Sequence, residues 1–147
     1  MNAKYAIIGV LVLGLGIIVY NNYSPYQMPN SHSVQKTSGN QGAALVEIII
    51  PDLSDRAKMG KLAFDTSCAV CHGKKAVGQD GVAPPLVHII YEPNHHGDAA
   101  FLLAAKNGVR AHHWPFGDMP PVPNVPDASI ALIVDYVREL QRANGIN

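Results

Sequence analysis

The chain has 147 residues with 11 basic and 11 acidic side chains, so its formal charge is zero. Without a basic run or stripe it lacks the electrostatics of nucleic-acid binding, and no nucleic-acid partner is expected. Its two cysteines, Cys68 and Cys71, are too few for a four-thiolate zinc site and too close together to staple a domain.

The stretch from residue 5 to residue 20 is uncharged and almost wholly apolar. As a helix it spans roughly 24 Å, slightly short of a hydrocarbon core about 30 Å thick. Tyr5, Tyr20 and Tyr23 suit the two interfaces as aromatic anchors, which helps a short span. A cleaved signal peptide is the other reading. Against it, Asn21-Asn22-Tyr23-Ser24-Pro25 lacks a small-x-small cleavage pattern, and Ser31-His32-Ser33, which fits, lies far downstream. The expectation is one retained transmembrane helix over residues 1–23. Lys4 in front of it, with no positive charge just behind, favours a cytoplasmic N-terminus and places the remainder outside the cytoplasm.

Residues 24–50 are rich in Asn, Ser, Gln, Gly and Pro and read as a flexible polar linker. A flexible coil of that length reaches roughly 30 Å. Val46-Glu47-Ile48-Ile49-Ile50 breaks the pattern as an extended segment suited to packing on the domain.

The domain proper covers residues 51–147. Ser54 is a natural N-cap, and Ala57, Leu62, Ala63 and Phe64 with Gly60 predict a helix running to Ser67. Gly78, Gly81, Pro84, Pro85 and Pro93 make residues 73–93 a loop. A short helix over 99–106 follows, with Asp98 as its cap and Asn107-Gly108 as its stop. Pro120, Pro121, Pro123 and Pro126 exclude helix and central strand from residues 117–126. The last helix is the clearest: Asp127 as N-cap, then Ile130, Ile133, Val134, Val137 and Leu140 on one face, ended by Asn144-Gly145. No repeat or strand-rich region appears, so the fold class is all-α. A domain this small builds only a modest core from side chains, and a prosthetic group would enlarge it.

Cys68-Ala69-Val70-Cys71-His72 carries the chemistry. Cys-x-x-Cys-His is the spacing of covalent c-type haem attachment. Two thiols three apart on a helical turn point to one side and can both add to one haem edge. The next residue, His72, is then delivered beneath the iron as an axial nitrogen ligand. Three other readings fit less well. A thioredoxin-type dithiol needs a βαβ context, a zinc knuckle needs more ligands, and a plain disulfide leaves the adjacent histidine without a purpose.

With that motif in place, the domain resembles the monohaem class I cytochromes c from about Leu53 to the C-terminus. The order helix, CAVCH, Pro-containing loop, Met-Pro loop and terminal helix is shared. The resemblance implies the cytochrome c fold around one covalent haem c, attached through Cys68 and Cys71. It implies that in Ala83-Pro84-Pro85-Leu86 the Pro84 carbonyl accepts the His72 Nδ1–H, with Leu86 beside the haem. Ala83 stands where the family usually has Gly. Gly60 and Phe64 match the family's contact between first and last helices, with Tyr136 as the facing aromatic. Gly117-Asp118-Met119-Pro120-Pro121 resembles the family's distal-methionine loop, which makes His72 and Met119 the axial ligands of the iron. A neutral thioether stabilises ferrous iron and raises the potential. The plain alternative is that Met119 is a core methionine. Met59, the other methionine in the domain, lies on the same side as the cysteines.

Trp114 and Phe116 are expected to pack around the haem, Trp114 with its N–H available to a propionate. His95-His96 and His112-His113 read first as loop hydrogen-bonders near the haem. A copper site is the sharper reading, although adjacent histidines diverge and each pair offers one easy ligand.

With both axial positions filled no iron site is open to substrate, so a carrier is expected and not an enzyme. The expectation is a one-electron shuttle held on the periplasmic side of a bacterial inner membrane. The resemblance suggests a quinol–cytochrome c reductase and a terminal oxidase as its redox partners. The alternatives are an accessory haem subunit of a larger complex, and a sensor or catalyst whose sixth ligand is displaced.

Overall fold

The structure is a computed structural model that describes residues 42–147. The apolar stretch at 5–20 and most of the polar linker lie outside the described residues. Among the described residues no helix is long and apolar enough to cross a membrane.

Four α-helices carry the domain: α1 Asp55–Ser67, α2 Ala69–His72, α3 Asp98–Asn107 and α4 Asp127–Ala143. Single 3-10 turns at Lys74–Ala76 and Ile89–Tyr91 punctuate the long loop. Isolated bridges, Gln79 with Ala83 and Val109 with Met119, are the only β pairings among the described residues.

α1 starts where Ser54 Oγ accepts the Ala57 N–H at 3.2 Å. Asp55 in its first turn complements the positive end of the helix dipole. α1 and α4 cross at the core of the domain. At the crossing Gly60 is buried, and a β-carbon placed there would stand 1.9 Å from Leu132 O. The missing side chain lets the two backbones touch. One turn on, Phe64 and Tyr136, both essentially buried, meet with centroids 5.5 Å apart and planes tilted by 60°. Ala57, Ile133, Val137 and Leu140 fill out this core, and Ala76 and Val87 of the long loop join it. Ser54 binds across to α4, its N–H donating to Glu139 Oε2 at 3.0 Å and its hydroxyl to Glu139 Oε1.

The two expected aspartate caps do something else. Asp98 Oδ1 accepts from Arg138 Nε at 2.8 Å, and Gly97 occupies the cap position of α3. Asp127 Oδ2 accepts from Lys106 Nζ at 2.7 Å, and Pro126 caps α4 with no side-chain bond. In each case a cation supplied by another helix offers a charged partner, which outcompetes a local backbone N–H. The end of α4 is as expected, with Asn144 at the cap and Gly145 at φ +78°.

Residues 42–50 are extended and hydrogen-bonded to the domain. Leu45 N donates to Val77 O at 3.1 Å, and the Asn144 amide binds both the N–H and the C=O of Ile49, at 2.7 and 2.8 Å. Ile48 packs against the core.

Candidate functional site

Cys68, Cys71 and His72 sit on the short turn where α1 gives way to α2. The turn is fixed by His72 N and Cys71 N donating to Cys68 O, at 2.9 and 3.2 Å. α2 ends at Gly73, whose φ of +74° turns the chain away from the helix. A β-carbon there would stand 2.6 Å from Gly78 O.

A four-residue helix leaves its carbonyls without internal partners. Gln79 supplies them: its Nε2 donates to Val70 O at 2.7 Å and to Cys71 O at 3.0 Å. Sequence reasoning passed over Gln79, because a glutamine in a Gly-rich loop carries no local sign of that role.

The His72 ring is buried, with 8% of its surface exposed, and its Nδ1 lies 2.9 Å from Pro84 O. A carbonyl only accepts, so Nδ1 carries the proton and Nε2 keeps its lone pair. Burial holds the His72 pKa below the ordinary histidine value, against the opposing effect of the Pro84 bond. The ring is therefore a neutral donor of one nitrogen, the form a metal requires. The two thiols are free, Cys71 exposed and Cys68 half-buried. Burial, with the neighbouring Cys71, pushes the Cys68 thiol up to about 11. A redox dithiol works through a depressed pKa, so this environment argues against that reading.

Pro84 and Leu86 stand on the loop that closes over the motif. Leu86 N donates to Ala76 O at 2.9 Å, and Leu86 O accepts from Gln141 Nε2 at 2.8 Å. Gln141 is fully buried, donates also to Tyr91 O at 3.0 Å, and accepts from Arg138 Nη1 at 2.6 Å. Arg138 reaches Tyr91 O as well, at 2.7 Å, and stacks over Phe101 at 5.0 Å. This polar pair on α4 ties down the loop from 86 to 98. It too was missed from sequence, since Arg138 and Gln141 lie in and beside the buried apolar stripe of α4, where a polar side chain gives no local sign of its partners.

Trp114, Phe116 and Met119 share a second loop. Val109 and Met119 exchange backbone hydrogen bonds at 2.9 Å each, and Ala111 N donates to Asp118 Oδ1 at 2.8 Å. Met119 is half-buried at the closing pair. Trp114 stacks on Phe116 at 5.8 Å with planes 9° apart and meets the edge of His88 at 5.1 Å. The Trp114 Nε1–H is buried without a hydrogen-bond partner of good geometry; the Tyr91 hydroxyl is near enough that Trp114 partly offsets the upward push of burial on its pKa.

The cytochrome c family profile matches residues 57–141, from α1 through α4. This chain belongs to the cytochrome c family. No curated protein matches it by sequence.

Members of the cytochrome c family carry a covalently bound c-type haem, and Cys68 and Cys71 stand in the arrangement that attaches it. The residues fit that group. Both thiols are free, the buried imidazole keeps one unengaged nitrogen, and an orphaned indole N–H awaits an acceptor. Haem-based electron transfer is the activity of such a domain.

Proposed function

We propose that this cytochrome c is a membrane-tethered one-electron carrier with His72 and Met119 as the axial ligands of its iron. The observation that carries the reading is the buried His72 ring, pinned through Nδ1 to Pro84 O. That bond fixes the tautomer, holds the ring plane and makes Nε2 a better donor. When bound, the haem supplies the one-electron iron couple.

Met119 is fixed in the chain by its two bonds to Val109 and followed by Pro120 and Pro121. These restrict the loop before any ligand is bound, so presenting the thioether costs little entropy. Trp114 offers its buried N–H to a propionate, which would end its unpaired state. With both axial positions occupied the protein is a carrier and not an enzyme.

The apolar stretch at 5–20 tethers the domain to the periplasmic face of a bacterial inner membrane. The tether keeps the haem domain at high local concentration over membrane complexes. A quinol–cytochrome c reductase as donor and a terminal oxidase as acceptor fit that placement. Salt extraction with N-terminal sequencing, electron uptake and cyanide binding test the proposal. The protein is expected to resist salt extraction with an N-terminus near Met1, and to take up one electron per chain reversibly. Release by salt with an N-terminus at Val34 would refute the tether, and rapid cyanide binding to the resting protein would refute the filled sixth position.

A further inference from the structure

Four imidazoles converge on the surface. His95 and His96 follow the turn at Ile89–Tyr91, and His112 and His113 lie in the loop closed by Val109 and Met119. Ring centroids are 4.6 Å apart for His95–His96, 5.2 Å for His95–His113, 5.3 Å for His96–His113 and 4.2 Å for His112–His113. One ring nitrogen from each of His95, His96 and His113 lies within 4.8 Å of the others.

Folding has little to gain from this gathering. His95, His112 and His113 are exposed, so the contact buries little apolar surface. Imidazoles this close also repel one another when protonated. Hydrogen bonding to the chain explains only part of the arrangement. His96 Nδ1 is 2.7 Å from Ile90 O and His112 Nδ1 is 2.8 Å from Arg110 O. Each bond engages one nitrogen and leaves Nε2 as an acceptor, the same device that orients His72. Backbone carbonyls placed this way are the usual outer support of metal-ligating histidines.

The main chain under the cluster is already fixed. His95 N and His96 N both donate to Glu92 O, at 3.1 and 2.8 Å, and buried Arg138 donates to His96 O. On the other side Ala111 N is held by Asp118. On that fixed main chain, rotation of the exposed His95 and His113 rings draws the three nitrogens toward a shared ion. Metal–nitrogen bonds near 2.0–2.1 Å place tetrahedral ligand atoms about 3.4 Å apart, against the present 4.8 Å limit. Neutral imidazole donors select copper, zinc and nickel over magnesium or calcium, with copper(II) the tightest.

We propose that His95, His96 and His113 form a second metal site, which takes one divalent transition-metal ion and holds copper(II) more tightly than zinc(II). His113 stands on the loop that also carries Met119, whereas His95 and His96 stand on the loop that leads into α3.

The experiment titrates the full-length, untagged holoprotein with copper(II), and in a separate arm with zinc(II), under equilibrium dialysis. Electron paramagnetic resonance follows the copper arm. One ion per chain beyond the haem iron is expected, with hyperfine structure from two or more imidazole nitrogens. His95→Gln with His113→Gln is expected to lower copper affinity at least about tenfold, with the haem spectrum and far-ultraviolet circular dichroism unchanged. Equal affinity in that variant, or no copper bound at micromolar concentration, would overturn the site. So would a wild-type spectrum showing oxygen coordination alone, which depends on no variant.

Discussion

Replacing Gly60 with alanine sets two effects of opposite sign against each other at the α1–α4 crossing. Alanine is the better helix former by about 1 kcal/mol. The new methyl group, however, would meet Leu132 O at 1.9 Å, Leu132 C at 2.6 Å and Tyr136 Cβ at 3.0 Å. Two of these are main-chain atoms of α4 and the third is the root of a buried ring, so none can swing aside. Carbon contacts settle near 3.5 Å, and α1 must withdraw by about 1.5 Å. Overpacking of this kind costs about 3 kcal/mol at the upper end of its usual range. The withdrawal also loosens the Phe64–Tyr136 pair, and such pairs contribute about 1 kcal/mol beyond their burial. The three terms leave Gly60→Ala destabilised by about 3 kcal/mol. Guanidinium unfolding of the holoprotein, followed by far-ultraviolet circular dichroism, reads this as a lower midpoint at unchanged slope. A variant as stable as the parent, or more stable, would show that the backbones are not in contact at this point.

Further outcomes follow from the polar ties and the attachment site. Gln141→Leu leaves Leu86 O and one Arg138 donor unpaired in a buried setting and removes one of the two donors to Tyr91 O; a loss of about 3 kcal/mol is expected in the same unfolding assay. Burial alone would raise the Glu139 pKa, but both hydrogen bonds from Ser54, with Arg142 nearby, bring it below the ordinary carboxylate value. A depressed folded pKa means stability that is present above about pH 4.5 and lost as pH falls through the folded value. Glu139→Gln is therefore expected to cost about 0.5 kcal/mol at neutral pH, a figure already reduced for solvent screening. That gap should shrink as melts are taken progressively below about pH 4.5; a gap independent of pH would contradict the assignment. Cys68→Ala with Cys71→Ala is expected to release haem under denaturing electrophoresis, whereas the parent keeps it, and to lose much of the fold with it.

Much of the fold was legible because its signals are local. Ser54 as a cap, the apolar stripe of α4 and the Asn144-Gly145 stop each depend on neighbours within a turn or two. Pro84 was readable only through the family resemblance, since its part is played by a backbone carbonyl. The structure sets that carbonyl 2.9 Å from His72 Nδ1. What escaped the sequence was long-range and polar. Asp98 and Asp127 look like helix caps, yet their partners lie 40 and 21 residues away, on Arg138 and Lys106. Gln79, Arg138 and Gln141 serve loop carbonyls, whose positions are set by the tertiary path and not by any periodicity. The meeting of the two histidine pairs is of the same kind. The expected divergence within each pair does not occur, since the rings of His95–His96 and of His112–His113 lie 4.6 and 4.2 Å apart. The course of the loop after α3 brings His113 beside His95 and His96.

The central claim, a His72/Met119-ligated electron carrier, is tested most directly by a redox titration of the parent and Met119→Ala with spectra of both oxidation states. A weak iron–sulfur charge-transfer band is expected at the red end of the oxidised parent spectrum, absent from the variant. The midpoint potential is expected to fall in Met119→Ala, because a neutral thioether favours ferrous iron. Met119→His should lower it as well while keeping six-coordination. A parent without that band, together with an unchanged potential in Met119→Ala, would contradict the account and remove methionine from the iron.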